Sequence, residues 1–245
     1  MSDCIITRHG SGYVTITFDN YKVYSDTDTF TRTTPKALSA ARSALIGASV
    51  GDYALFAGGE IGTTTYTPAV DAYDTNLTRS TPTALSAARY WLAGASVGDY
   101  ALFAGGSNYI SYISAVDAYD TNLTRSTPTT LSVARAWLAG ASVGDYALFA
   151  GGYDGSYSSV VDAYDTDLTR TTPTALSTAR NQLAGASVGD YALFAGGYDG
   201  SYSSVVDAYD TDLTRTTPTA LSTARNQLAG ASVGDYALFA GGYDG

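Results

Sequence analysis

An all-β class is predicted by three observations: a nine-residue stretch returning at a nearly fixed period, apolar runs flanking tight-turn residues, and a proline closing each repeat. The stretch is G-D-Y-A-L-F-A-G-G, beginning at Gly51, Gly98, Gly144, Gly189 and Gly234, so the spacings are 47, 46, 45 and 45 residues. A period in this range marks stacked units or propeller blades, because one such unit cannot bury its apolar faces alone.

The elements follow from local chemistry. Leu92 to Val97 is an apolar run, Gly98-Asp99 provides the backbone freedom of a tight hairpin, and Tyr100 to Ala104 forms the return strand, closed by Gly105-Gly106. After a variable loop comes V-D-A-Y-D-T, starting at Val70, Val116, Val161 and Val206, with the alternation of a half-buried strand. The last segment, L-T-R-[ST]-T-P, ends at Pro82, Pro128, Pro173 and Pro218. Proline has no N–H for a ladder, which puts this segment at an outer edge or just past a strand end. Four antiparallel strands per repeat make a propeller blade.

The order P-T-A-L-S-x-A-R, apolar strand, G-D-Y-A-L-F-A-G-G, loop, V-D-A-Y-D-T-x-L resembles the kelch repeat: an Arg before the first strand, a double glycine after the second and a Tyr-Asp in the third. The match covers about 36 to 245, recurs five times and has a weaker half-repeat before it. Kelch repeats usually carry a Trp after the Tyr-Asp. Here Leu77, Leu123, Leu168 and Leu213 stand in that place, with Phe30 in the N-terminal copy, so an apolar side chain still fills it. The Gly-His and Trp-Asp pairs of a WD40 repeat are absent. The resemblance implies a propeller whose loop face commonly takes the ligand.

Residues 1–22 lie outside the repeat and read as a hairpin, with Cys4 to Arg8 and Tyr13 to Phe18 alternating around Gly10-Ser11-Gly12. Residues 23–35 align without gaps to Val70 to Pro82, a third and fourth strand without a first and second. Leu228 to Gly245 supplies a first and second without a third and fourth. Joined, the two halves predict a ring of five four-stranded blades, and closure removes exposed sheet edges. In the alternative, the N-terminal hairpin is the inner half of a degenerate sixth blade and the C-terminal half-blade stays open. Residues 138–200 and 183–245 are identical over 63 positions.

Composition narrows the function. Hydrophobic residues are 45% and charged ones 15%, enough apolar material for a folded core. A net charge of −10 repels phosphate backbones, so nucleic acid is not an expected partner. Ten of the 13 basic residues sit at two fixed repeat positions, the Arg79 and Arg89 types. Cys4 is the single cysteine and His9 the single histidine, which leaves no disulfide framework, thiolate cage or imidazole metal site, and no cofactor is expected. The N-terminus lacks the basic and apolar regions of a signal peptide, and no long apolar run spans a membrane. A cytoplasmic or virion-associated protein without membrane insertion is the expectation, as a monomeric ring.

Variation between the repeats, and all of their difference in length, concentrates in two places. One is the pair after the repeat Arg: Ser43-Ala44, Tyr90-Trp91, Ala136-Trp137, Asn181-Gln182 and Asn226-Gln227. The other is the loop after the double glycine, which carries Asn108, Tyr109 and Tyr112 in one copy and Tyr153 and Tyr157 in the next. In an up-and-down blade both places lie at the same end, so variation gathers on one face. Loops on a rigid scaffold are the usual seat of binding, and Tyr, Trp, Ser and Asn suit adaptable contacts. The ligand-binding candidates are therefore Tyr90, Trp91, Trp137, Asn181 and Asn226, with Asn108, Tyr109, Tyr112, Tyr153 and Tyr157. Arg89 and Arg135 offer guanidinium groups to a carboxylate at the mouth. The stronger expectation for them is a repeated salt bridge to an Asp such as Asp99 or Asp120, since each copy holds both partners. The Asp-x-x-Asp of the third strand puts its carboxylates on opposite faces, unsuited to a shared ion or substrate. A non-enzymatic scaffold recognising a glycan or protein surface, phage-tail or adhesin-like, is the expected function; the alternative is a structural repeat ring, natural or engineered, with no small ligand.

Overall fold

The computed structural model describes residues 5–8, 14–18, 21–24 and 33–245, in two compact units, Met1–Pro35 and Lys36–Gly245. In the first unit β1 (Ile5–Arg8), β2 (Val14–Phe18) and β3 (Tyr21–Tyr24) form an antiparallel meander. The expected hairpin is present, with Ile6 opposite Ile16. Val23 and Tyr24, expected to start the outer pair of the last blade, pair along one edge with Ile16 and Thr15 of β2. The edge of β2 is only Asp19-Asn20 away in sequence, and short closures are entropically cheap. The rest of that expectation, residues 25–32, lies outside the described residues.

The second unit is built of repeated antiparallel sheets. The first holds β4 (Ile46–Val50), β5 (Tyr53–Ala57), β8 (Val70–Tyr73) and β9 (Arg79–Ser80), with a small hairpin of β6 (Glu60–Ile61) and β7 (Thr65–Tyr66) in its loop. The second holds β10 (Ala93–Val97), β11 (Tyr100–Ala104), β12 (Val116–Asp120) and β13 (Arg125–Ser126). The third holds β14 (Ala139–Val143), β15 (Tyr146–Ala150), β16 (Val161–Tyr164) and β17 (Arg170–Thr171). The fourth holds β18 (Ala184–Val188), β19 (Tyr191–Ala195), β20 (Val206–Tyr209) and β21 (Arg215–Thr216). Strands β22 (Ala229–Val233) and β23 (Tyr236–Ala240) make a two-stranded sheet among the described residues. Each first hairpin turns at the predicted Gly-Asp, with Val97 opposite Tyr100.

The core lies between consecutive sheets. Leu102, Val116 and Leu131 of the second repeat pack with Phe149 and Tyr164 of the third, and the same pattern joins the first repeat to the second and the third to the fourth. Both faces of the central strands are therefore covered, which is why Y-A-L-F-A reads as a continuous apolar run. Leu123, Leu168 and Leu213, which follow the Tyr-Asp of the third strand, pack against these clusters.

The innermost strands of neighbouring repeats approach closely. A Cβ on Gly94 would lie 2.7 Å from the carbonyl oxygen of Gly47, so only glycine lets the two backbones meet. Serines then connect the strands: Ser96 Oγ donates to the Ser49 carbonyl at 2.6 Å, and Ser142 Oγ to the Ser96 carbonyl at 2.6 Å. In return, the Ser142 N–H donates to Ser187 Oγ at 2.9 Å. The small residues of A-G-A-S-V are thus explained by the axis they line.

Tyr119, Tyr164 and Tyr209 are fully buried, and their hydroxyls donate to the carbonyls of Thr83, Thr129 and Thr174 at 2.7, 2.8 and 2.8 Å. Burial, reinforced by Asp117, Asp162 and Asp207 respectively, raises each phenol above its ordinary value. The unfolded chain ionises first, near pH 10. Stability contributed by these protons is complete below that pH and falls as pH rises towards the higher folded values. We expect a flat denaturant midpoint from neutral pH to about 9.5 and a steady decline above about 10. Tyr164→Phe should make that decline shallower.

Candidate functional site

The two variable places of each repeat are joined by backbone. The Tyr90 N–H donates to the Ser107 carbonyl at 3.0 Å, and the Ser107 N–H donates back to the Tyr90 carbonyl at 2.9 Å; Ala136 with Tyr153 and Asn181 with Tyr198 repeat the pattern. The residue before each first strand and the first residue of the following loop are therefore one bridge on one face.

Within the variable pair, the two residues have different tasks. The first is buried in every repeat but the first, where Ser43 is exposed: Tyr90 is 4% exposed, Asn181 8% and Asn226 7%. The second adopts a left-handed backbone, with φ of 52° at Ala44, 53° at Trp91, 55° at Trp137, 55° at Gln182 and 54° at Gln227. For bulky L-residues that conformation costs about 1–2 kcal/mol. It is held by hydrogen bonds between repeats: Trp91 N–H to Ala44 O at 3.2 Å, Trp137 to Trp91 at 3.0 Å, Gln182 to Trp137 at 2.9 Å and Gln227 to Gln182 at 2.9 Å. These five residues and the leucine after each line a depression of about 680 Å³ at the head of the first strands.

Aromatic rings run on from this depression. Tyr66 stacks on Tyr90 with centroids 4.5 Å apart, Tyr90 on Trp91 at 3.9 Å and Trp91 on Trp137 at 4.1 Å. Beyond Trp137 the packing turns edge-to-face, through Tyr153 at 6.2 Å, Tyr157 at 5.7 Å, Tyr198 at 5.9 Å and Tyr202 at 5.8 Å. Tyr112 meets Tyr153 at 5.9 Å. Offset and edge-to-face pairs at such distances are mutually favourable, so the rings form one continuous strip. Burial, followed by the hydrogen bond with Tyr66, pushes the Tyr90 phenol up to about 12.

Two hollows flank the strip. One, of about 610 Å³, is lined by Tyr90, Trp91, Trp137, Tyr109 and Tyr112 among others. The second, of about 450 Å³, lies over the third and fourth repeats against Tyr153, Tyr157, Asn181 and Asn226. Asn108 organises its loop instead of pointing outward freely: its Oδ1 accepts from the Ile110 and Ser111 N–H groups at 3.1 and 2.9 Å. That turn lifts Tyr109, 79% exposed, and Ile110 into solvent.

Arg89 and Arg135 are withdrawn from this face. Both are fully buried, and their partners are Asp117 at 2.7 Å and Asp162 at 2.8 Å, in place of the expected Asp99 or Asp120. Asp99 sits in the exposed hairpin turn, while Asp120 Oδ1 accepts from Asn122 and Thr124 in the next turn. Asp117 lies opposite Phe103, whose carbonyl also receives Arg89 Nη2 at 3.0 Å. Burial lowers the Arg89 and Arg135 guanidinium values, opposed by these carboxylates.

Residues of the site absent from the sequence-based candidates include Gln182, Gln227, Tyr66, Tyr198 and Tyr202. Tyr198 and Tyr202 carried a signal, since they copy Tyr153 and Tyr157 in the duplicated segment. Gln182 occupies the position of Trp137. Among the described residues no group of three or more His, Cys, Asp or Glu side chains is placed to hold a metal ion, and no helix is long and apolar enough to cross a membrane. Cys4 and His9 lie outside the described residues.

No family model and no curated protein matches the chain. Among solved structures, that of YjhT superposes with a TM-score of 0.71 at 14% identity, covering 100% of this chain and 88% of that chain. At this identity the likeness speaks for fold alone, and it supports an all-β scaffold of repeated four-stranded sheets of the propeller type.

Proposed function

We propose that the chain is a kelch-like, non-enzymatic binding scaffold that recognises a glycan or protein surface through the face carrying its variable residues. The observation that carries this reading is the coincidence of the aromatic strip with the two variable places, joined by the bridges such as Tyr90 with Ser107. Aromatic side chains supply large contact area at low entropic cost, and they dominate binding energy where they anchor an interface. The charged groups that would serve chemistry are committed to the scaffold: Arg135 and Asp162 to each other, Asp120 to a turn, and Asp154 to the Ser156 N–H at 3.1 Å.

The test is a broad glycan array, together with binding to bacterial cells, comparing the intact chain with Trp91→Ala/Trp137→Ala. An anchoring aromatic is worth about 2 kcal/mol or more, so affinity should fall roughly 30-fold with the sheets intact by circular dichroism. Equal binding by both proteins moves the ligand off this face, and no binding by either favours a structural ring.

A further inference from the structure

The hollow over the third and fourth repeats has a chemistry of its own. Tyr153, Tyr157, Tyr198 and Tyr202 stand around it, with Asn181 and Asn226 among its lining residues. We propose that it is a subsite for one neutral pyranose ring. The inference rests on the variable face being the binding surface and goes further, naming the ligand class and the place.

Three observations support it. First, Asn181 and Asn226 are more than nine-tenths buried, yet among the described residues the Oδ1 of each has no hydrogen-bond donor. Asn226 spends its amide on Gln182 Oε1, 2.6 Å away, so what it offers a ligand is an acceptor. Buried carbonyls without donors are costly, and a ligand hydroxyl relieves that cost by donating. Second, the rings here are not stacked. Tyr153–Tyr157, Tyr157–Tyr198 and Tyr198–Tyr202 cross at 66°, 72° and 66°, whereas Tyr66 stacks on Tyr90 at 20° and Trp91 on Trp137 at 29°, with Tyr90 and Trp91 tilted at 35°. The crossed tyrosines leave ring faces uncovered by a parallel partner, able to pack against the C–H face of a sugar.

Third, the electrostatics exclude an anion. No Lys or Arg lines the hollow. Arg180 of the same repeat is fully buried, donating to the Gly196, Thr178 and Phe194 carbonyls and paired with Asp207 at 2.8 Å. The ionisable groups of the flanking loops are Asp154 and Asp199, and the whole chain carries −10. Burial, with Tyr198, Tyr153 and Asp199 adding to it, raises the Tyr157 phenol, so the rim offers hydroxyls and no positive charge. A volume of about 450 Å³ lies within the small-molecule range of roughly 300–1,000 Å³. A polyol ring with donor hydroxyls, one apolar face and no charge satisfies all three observations.

The full chain should be titrated with the methyl glycosides of glucose, galactose and mannose, and with glucuronic and galacturonic acids, by saturation-transfer NMR and tryptophan fluorescence. At least one neutral glycoside should bind, tenfold or more tighter than its uronic acid. Asn226→Leu should weaken that binding at least tenfold. Because Asn226 also holds Gln182, Tyr202→Ala on the exposed rim serves as a second variant and should do the same with an unchanged melting temperature. Uronic acids binding as well as the neutral sugars, or both variants binding normally, overturns the subsite. Glycan binding that is lost in Trp91→Ala/Trp137→Ala but kept in both of these variants overturns the subsite alone and leaves the face intact. Absence of binding to any glycan or cell overturns both readings.

Discussion

Asp162→Ala is expected to destabilise the third repeat by about 3–5 kcal/mol, because it leaves a buried guanidinium without its counter-charge. Asp162 is fully buried on β16 and accepts Arg135 Nη1 at 2.8 Å, Arg170 Nη1 at 3.0 Å and the Ser132 N–H at 3.1 Å. Arg135 is equally buried, and its remaining donors go to the carbonyls of Gly151, Val133 and Phe149 at 2.8, 3.1 and 2.9 Å. Those carbonyls orient the cation but do not neutralise it. Arg170 is partly exposed at its side chain, so Arg170→Ala should cost no more than about 1 kcal/mol. The double variant Asp162→Leu/Arg135→Met removes both charges and should recover much of the loss. Arrays of repeats need not unfold in one step. Amide exchange of Leu148 to Ala150 is therefore the local readout to set beside denaturant midpoints. Equal effects of Asp162→Ala and Arg170→Ala would mean that the buried pair is not what holds the repeat.

The hairpins and the period were legible because their causes are local. Gly51-Asp52 and its copies supply turn chemistry that needs no tertiary partner, and the apolar run of Y-A-L-F-A reports burial on both faces. The shared face of the two variable places was legible as well, from strand count alone. What sequence reasoning did not supply was set by non-local geometry. Nothing in the letters Trp91 or Trp137 announces a left-handed backbone; the bonds from each repeat to the one before impose it, and they send the first residue of the pair inward and the second to the depression at the head of the first strands. The Asp117 partner of Arg89 depends on the β11–β12 register that places it opposite Phe103, and Asp99 and Asp120 compete on composition alone. Pairing of Val23 with β2 joins the N-terminal hairpin to the segment that follows it, which the alignment of repeats did not announce.

Gly152→Ala should cost about 2–6 kcal/mol, the sum of a backbone share and a steric share of about 1–3 kcal/mol each. Gly152 has φ of 110°, outside the ordinary range of an L-residue, and an added Cβ would lie 2.8 Å from the Ala136 carbonyl oxygen and 3.2 Å from Leu138 Cβ. Gly155, three residues on, has φ of 116° but open space around it, so Gly155→Ala carries the backbone share alone. The difference between the two denaturant midpoints isolates the steric share, and equal shifts would remove it. Position matters as much as magnitude. The Gly152 N–H donates to the Arg180 carbonyl at 2.9 Å, and the next residue, Tyr153, is bridged to Ala136. A displaced Gly152 therefore moves Tyr153 away from Trp137 and Tyr157 and opens the strip at the point where stacked rings give way to edge-to-face ones. Gly155→Ala leaves that bridge in place. Ligand affinity should accordingly fall further in Gly152→Ala than in Gly155→Ala, and a ranking in the opposite order would show that the loop tip, not the bridged base, sets the geometry of the face.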